Sequence, residues 1–197
     1  NGDHHGWQHA RWRDLNPDLI TTTEAFAIVR NPWARVVSRF MFAKKVIEGE
    51  KKINRFQWDG KTYVIHTGKS DYADISSFEA FLEERHKWGN KKYMWHRAVR
   101  GWYPAYDYVS DSKDNVRCDI LRLEHIDEEL PKYFGFEKMH LRPRNVTGYK
   151  KDYKDFYTKE TIQIVADWYK KDIDFWGFDF DTSATKNTYN TWKVRAK

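Results

Sequence analysis

The 197-residue chain has a single cysteine, Cys118, so no intrachain disulfide framework can staple it. Nothing in that cysteine usage argues for an oxidising compartment. No apolar run is long enough to span a bilayer, and no secretory signal is visible. Both absences predict a cytoplasmic or otherwise soluble protein. Internal repeats and domain-splitting linkers are missing too. The expected organisation is one domain over residues 1–181, followed by a polar C-terminal tail over 182–197. A starting Met is also lacking: the chain opens on Asn1, which predicts a natural protein that begins further upstream.

What is present suits a globular α/β domain with a sizeable core. Hydrophobic residues make up 40% and charged residues 32%. Aromatics reach 17%, with ten Trp, and such rings fill a core or line a flat pocket or interface. The net charge of +6 favours anionic partners such as nucleotides, acidic glycans, nucleic acid or a negative membrane surface. A merely solvated lysine-rich surface explains any one cluster as well.

Residues 25–30 form a continuous apolar run, as expected of a parallel strand covered on both faces. A helix follows over 32–48, with Val36, Val37, Phe40, Met41, Ala43 and Ile47 as its buried stripe. Asn31 suits its N-cap, and Pro32 suits its first position, where no N–H is needed. Asp59-Gly60 marks a hairpin turn between two short strands. Ser76 and Glu79 make a capping box for a helix ending near Lys87. Residues 118–123 read as a second strand with a short helix after it, to Phe134. Thr158 caps a helix over 159–176, whose stripe is Ile162, Val165, Ala166, Tyr169, Ile173 and Trp176, and Gly177 stops it. Residues 88–110 and 139–157 are irregular, aromatic and basic.

The segment Phe26-Ala-Ile-Val-Arg-Asn-Pro-Trp-Ala-Arg-Val-Val-Ser38 carries the chemistry. It ends a strand in Arg30, turns at Asn31-Pro32, and brings Ser38 onto the face of Asn31 two helical turns on. An arginine at a strand tip, a capped helix start and a hydroxyl on the same helix suit a phosphate. The pattern R-N-P-x-x-R-x-x-S resembles the 3′-phosphate-binding motif of sulfotransferases that use the sulfate donor PAPS. Two further segments agree in order and spacing. Ile120-Leu-Arg-Leu-Glu124 resembles the family's mid-chain strand ending in Arg-x-Glu. Asn145 to Thr161, continuing through Ala166 to Phe180, resembles the C-terminal signature of the carbohydrate-type (family 2) sulfotransferases.

That resemblance spans residues 9–181 and implies an α/β fold with a central parallel sheet flanked by helices, related to P-loop nucleotide kinases. It implies transfer of a sulfuryl group from PAPS to a hydroxyl, usually on a carbohydrate, with PAP as product. Arg30 and Ser38 would hold the 3′-phosphate. Lys150 and Lys151 fall where the family closes over the donor, although a solvated loop accounts for them equally. His9, twenty-one residues before Arg30, matches the placement of the base that deprotonates the acceptor. His4 and His5 are rivals, and His5-x-x-x-His9 also has helical metal-chelating spacing. His96, Arg97 and Arg100, among aromatics, are the acceptor-site candidates.

The chain departs from the family before His9. No Gly- or Thr-rich turn with a basic residue follows a strand there, and that loop normally cradles the 5′-phosphosulfate. A preceding segment or a second chain would supply it, or the protein is a non-catalytic binding or structural relative on the same scaffold, possibly in a larger assembly. A nucleic-acid-binding module is a third reading, for which no recognised motif is present.

Overall fold

A computed structural model describes residues 10–15, 24–50, 55–58, 61–64, 74–88, 102–141 and 151–189. The order of its main elements is β1 (Phe26–Val29), α1 (Pro32–Glu50), β2 (Arg55–Trp58), β3 (Lys61–Val64), α2 (Phe78–Trp88), α3 (Ala105–Val109), β4 (Asp119–Arg122), α4 (Ile126–Phe134), α5 (Lys159–Trp168) and α6 (Lys170–Trp176). The fold is α/β: a small parallel sheet flanked by helices. The chain divides into two compact units. One comprises Asn1–Arg35, Tyr103–Pro143 and Tyr157–Lys197; the other comprises Val36–Trp102 and Arg144–Phe156.

In the first unit β1 pairs in parallel with β4, from Phe26 opposite Asp119 to Val29 opposite Arg122. Val29, Ile120 and Leu121 are at most 2% exposed. Burying such a side chain stabilises by roughly 1.5–3 kcal/mol. Cover is one-sided on β1, contrary to the expectation from its apolar run. Phe26 and Ile28 remain 39% and 46% exposed. Side chains alternate across a strand, so these two share a face. The rings of Tyr133 and Phe134 approach Phe26 there, at 5.4 and 5.5 Å.

The helical stretch predicted over 159–176 is two helices, joined at Tyr169, which takes a non-helical φ of −111° and ψ of 23°. Thr158 caps the first with its side chain accepting from Thr161 N–H, and Gly177 ends the second in the left-handed region. The deepest stripe is Thr161, Val165, Tyr169, Asp172 and Trp176, whereas Ile162, Ala166 and Ile173 are half-buried. Two polar residues therefore sit where an apolar pattern points to isoleucines.

Asp172 explains the exchange. Its carboxylate accepts the N–H groups of Ala105 and Tyr106 at 2.8 and 2.9 Å, capping α3, and it lies 3.6 Å from the Arg35 guanidinium. Arg35 in turn donates to Tyr103 C=O and lies over the Tyr169 ring, 4.5 Å from its centroid. Helix α3 itself lies inside a stretch whose sequence reads as irregular. Residues 182–189 pack into this unit as well, with Ala184 and Thr188 buried.

In the second unit α1 buries Val36, Val37 and Phe40 as its stripe predicts, while Met41 and Ala43 are half-buried and the Ile47 side chain lies outside the described residues. Much of the aromatic surplus goes into this core. Phe40 meets Phe78, Phe81 and Phe156 at 5.3–6.0 Å, and Phe81 meets Trp102 at 5.2 Å. Strands β2 and β3 pair antiparallel, with Trp58 opposite Lys61, as the Asp59-Gly60 signal predicts. The capping box at Ser76 does not form. Asp74 takes both the N–H and the hydroxyl of Ser76, so the chain enters α2 one residue later, where Ser77 Oγ accepts Ala80 N–H at 3.0 Å.

Candidate functional site

Ligands of parallel α/β sheets bind beyond the carboxyl ends of the strands. At that end of β1 stands Arg30, half-buried, followed by Asn31, which is 2% exposed. Asn31 holds the turn from every side. Its Oδ1 accepts the N–H groups of Trp33 and Ala34, at 3.0 and 3.1 Å, as the predicted N-cap. Its own N–H donates to Glu124 Oε1 at 2.8 Å. Its Nδ2 donates to the carbonyls of Asp179 and Thr182, at 2.9 and 2.8 Å.

One expectation changes with this geometry. The start of α1 offers a phosphate no N–H group: Pro32 has none, those of Trp33 and Ala34 are taken by Asn31, and all four residues are buried. An anion at this strand tip is therefore met by side chains, not by the helix terminus.

The Arg-x-Glu pattern of β4 also resolves into supports. Glu124 fixes the Asn31 N–H. Arg122 donates through Nε to the buried Glu129 at 2.5 Å, and the other Glu129 oxygen accepts Arg122 N–H at 2.7 Å. This ties α4 to β4. Arg122 Nη1 reaches Ala184 C=O, and His125 Nε2 meets Ser183 Oγ at 3.0 Å. Together with Asn31 they fasten residues 179–184 over the strand tips. The second arginine of the motif, Arg35, is engaged with Asp172 and Tyr103.

Ser38 is exposed on α1, and Lys151 is exposed just before a turn in which Asp152 Oδ1 accepts Lys154 N–H. His9, Lys150, His96, Arg97 and Arg100 lie outside the described residues. Among the described residues no group of three or more His, Cys, Asp or Glu side chains comes together to hold a metal. No helix among them is long and apolar enough to cross a membrane.

Sequence reasoning singled out Arg30, Asn31, Ser38 and the Arg-x-Glu pattern of β4, but not the contacts that support the turn: the Asn31 amide, the Glu124 acceptor, the Arg122–Glu129 pair and Asp172. A signal for the first exists, because an asparagine cap brings two N–H donors that a serine or aspartate cap lacks. The others are read only from distances.

The described residues define an α/β protein with an arginine, Arg30, at the tip of a parallel strand and an asparagine-capped turn beside it. Residues 2–179 match the model of the sulfotransferase family, and the chain belongs to that family, in its family 2 branch. Sulfuryl transfer is the class of chemistry this membership supports, with a hydroxyl-bearing acceptor. No curated protein and no solved structure matches the chain.

Proposed function

We propose that this protein transfers the sulfuryl group of PAPS to a hydroxyl of a carbohydrate-like acceptor and releases PAP. The observation that carries the reading is the strand-tip arginine of a sulfotransferase-family chain, Arg30, set on a turn that Asn31 and Glu124 hold rigid. Arg30 and Ser38 bind the 3′-phosphate in this reading, with Lys150 and Lys151 on the donor's other charges. A charge-assisted hydrogen bond of this kind contributes about 1.5–3 kcal/mol. His9 takes the proton of the acceptor hydroxyl. The hydroxyl oxygen forms the new bond to sulfur as the bond from sulfur to the 5′-phosphate oxygen breaks, and that electron pair leaves on PAP. His96, Arg97 and Arg100 orient the acceptor.

Two measurements test it. Calorimetry with PAP should show binding that Arg30→Ala weakens by about tenfold or more, a loss of one charge-assisted contact. Turnover of labelled PAPS by the natural full-length protein should vanish in His9→Ala while PAP affinity stays within about twofold. PAP binding without any turnover would instead make the chain a non-catalytic scaffold that keeps the nucleotide site.

A further inference from the structure

The first unit contains a cleft at the amino ends of β1 and β4, one strand length from Arg30. It has a volume of about 770 Å³, within the range of small-molecule sites. Four of its walls are aromatic: Phe26, Tyr133, Phe134 and Tyr189. Their rings meet at angles rather than stacking flat, with Tyr133 and Tyr189 centroids 4.8 Å apart at 76° and Phe26 and Phe134 at 89°. An edge-to-face pair covers one face of one ring and leaves the remaining faces outside the pair. Phe26 and Phe134 stay 39% and 47% exposed, a cost the fold accepts at this cleft.

The charges at the cleft oppose those of the whole molecule. The chain carries a net +6, yet among the described residues no lysine lines the cleft. Among the described residues its carboxylates are Glu24 and Asp119, and its one cation, Arg117, is held by Asp111 through Nε at 2.7 Å. Asp119 Oδ2 accepts the Tyr133 hydroxyl at 3.1 Å and keeps other lone pairs. Two neighbouring groups stay neutral, chiefly through burial. Burial, then the neighbouring Asp119, pushes the Cys118 thiol up to about 12. Burial, the bond to Asp119 and the charges of Asp119 and Glu24 push the Tyr133 phenol up to about 12. Cys118 is thus a protonated, unreactive wall, and the fixed charge facing the cleft is negative.

Aromatic faces attract cations through their quadrupole, and carboxylates at the same mouth add direct attraction. We infer that this cleft binds a small organic cation, an ammonium group on an apolar body, with the charge between Glu24 and Asp119 and the body against Phe26, Tyr133, Phe134 and Tyr189. The site is separate from the Arg30 strand tip and owes nothing to the sulfotransferase reading; either stands if the other fails.

The probe is 2-phenylethylamine, and its control is the neutral isostere 2-phenylethanol, each titrated into the full chain by calorimetry. The amine should bind at least about tenfold more tightly than the alcohol. The double variant Glu24→Gln, Asp119→Asn should lower amine affinity by about tenfold and leave the alcohol unchanged. Both substitutions are isosteric and exposed, and an unchanged circular dichroism spectrum verifies the fold. PAP affinity, measured on the same variant, should be unaffected. Equal affinity for amine and alcohol, an amine affinity unmoved by the double variant, or no heat up to about 10 mM amine, the weak end of ligand affinity, would overturn the assignment.

Discussion

Asn31 does the work of several residues. One side chain caps a helix, accepts two N–H groups and donates to two carbonyls from a segment nearly 150 positions away in sequence. A capping substitution alone costs about 1 kcal/mol. Here the part-buried carbonyls of Asp179 and Thr182 lose their donor as well, so Asn31→Ala should cost about 2–3 kcal/mol in chemical denaturation. Asn31→Asp separates the two jobs. It keeps the cap but turns a donor into an acceptor facing the carbonyls of residues 179–182, and it should be no more stable than the alanine variant. A wild-type denaturation midpoint in either would show that the amide is not the fastener described here. The motif reading at this scale was legible in part. Position and residue type predict the cap, but the distant carbonyls are in no pattern of local spacing.

At the scale of elements, helix ends distinguish strain from crowding. Gly135 ends α4 and Gly177 ends α6, both with left-handed φ, +72° and +65°. A Cβ on Gly135 would meet nothing within 4 Å, whereas on Gly177 it would come 2.4 Å from Thr185 Oγ1. That hydroxyl donates to Gly177 C=O at 2.8 Å and ties residue 185 to the helix end. Gly135→Ala should therefore cost only backbone strain, about 1 kcal/mol. Gly177→Ala adds a clash and displaces the Thr185 hydroxyl, for about 3 kcal/mol. Thermal unfolding of the pair checks the order, and equal losses would refute the crowding. The elements themselves were largely visible in sequence: both parallel strands, α1, α4, the hairpin and the Thr158 cap. Helix α3 was not, because Asp172, 66 and 67 residues away, supplies its N-terminal partners.

At the scale of the whole molecule, carboxylates among the described residues, paired both locally and across long stretches of chain, set the response to acid. The bond from Arg11 holds Asp14 below the ordinary carboxylate value of 3.8, against partial burial. The Asn115 N–H and Arg117 hold Asp111 far below it. Lys171 and Arg13 do the same for Asp114, joining residues 57 and 101 positions apart. A carboxylate with a depressed folded pKa contributes stability that is present above its unfolded value and lost as pH falls through the folded value. Asp172 acts in the opposite sense. Burial raises its carboxyl despite Arg35 and two N–H groups, so its contribution declines as pH rises through the raised value. With Asp74 and Glu160, which hydrogen bonds also hold low, the depressed carboxylates among the described residues outnumber it. Melting temperature should fall steadily from about pH 4 to pH 2. Asp114→Asn should flatten that slope without moving the melting temperature near neutrality by more than a degree or two, since exposed pairs contribute little. An unchanged slope would assign the acid sensitivity elsewhere.

The sequence by itself determined the class of fold, the family and the place of Arg30 at the end of a strand. Hydrophobic period, capping residues and short motifs are local properties, and a chain writes them down in order. Only the tertiary structure decided what those residues lean on. It turned the helix start from an anion site into a closed cap, put Asp172 and Thr161 in a core stripe read as apolar, and set Glu124 against Asn31. It also gathered Glu24, Asp119 and four aromatic rings around one cleft, from four separate stretches of chain. Such groupings depend on distances between residues remote in sequence, and the balance of burial against hydrogen bonding that fixes them exists only once the chain is folded.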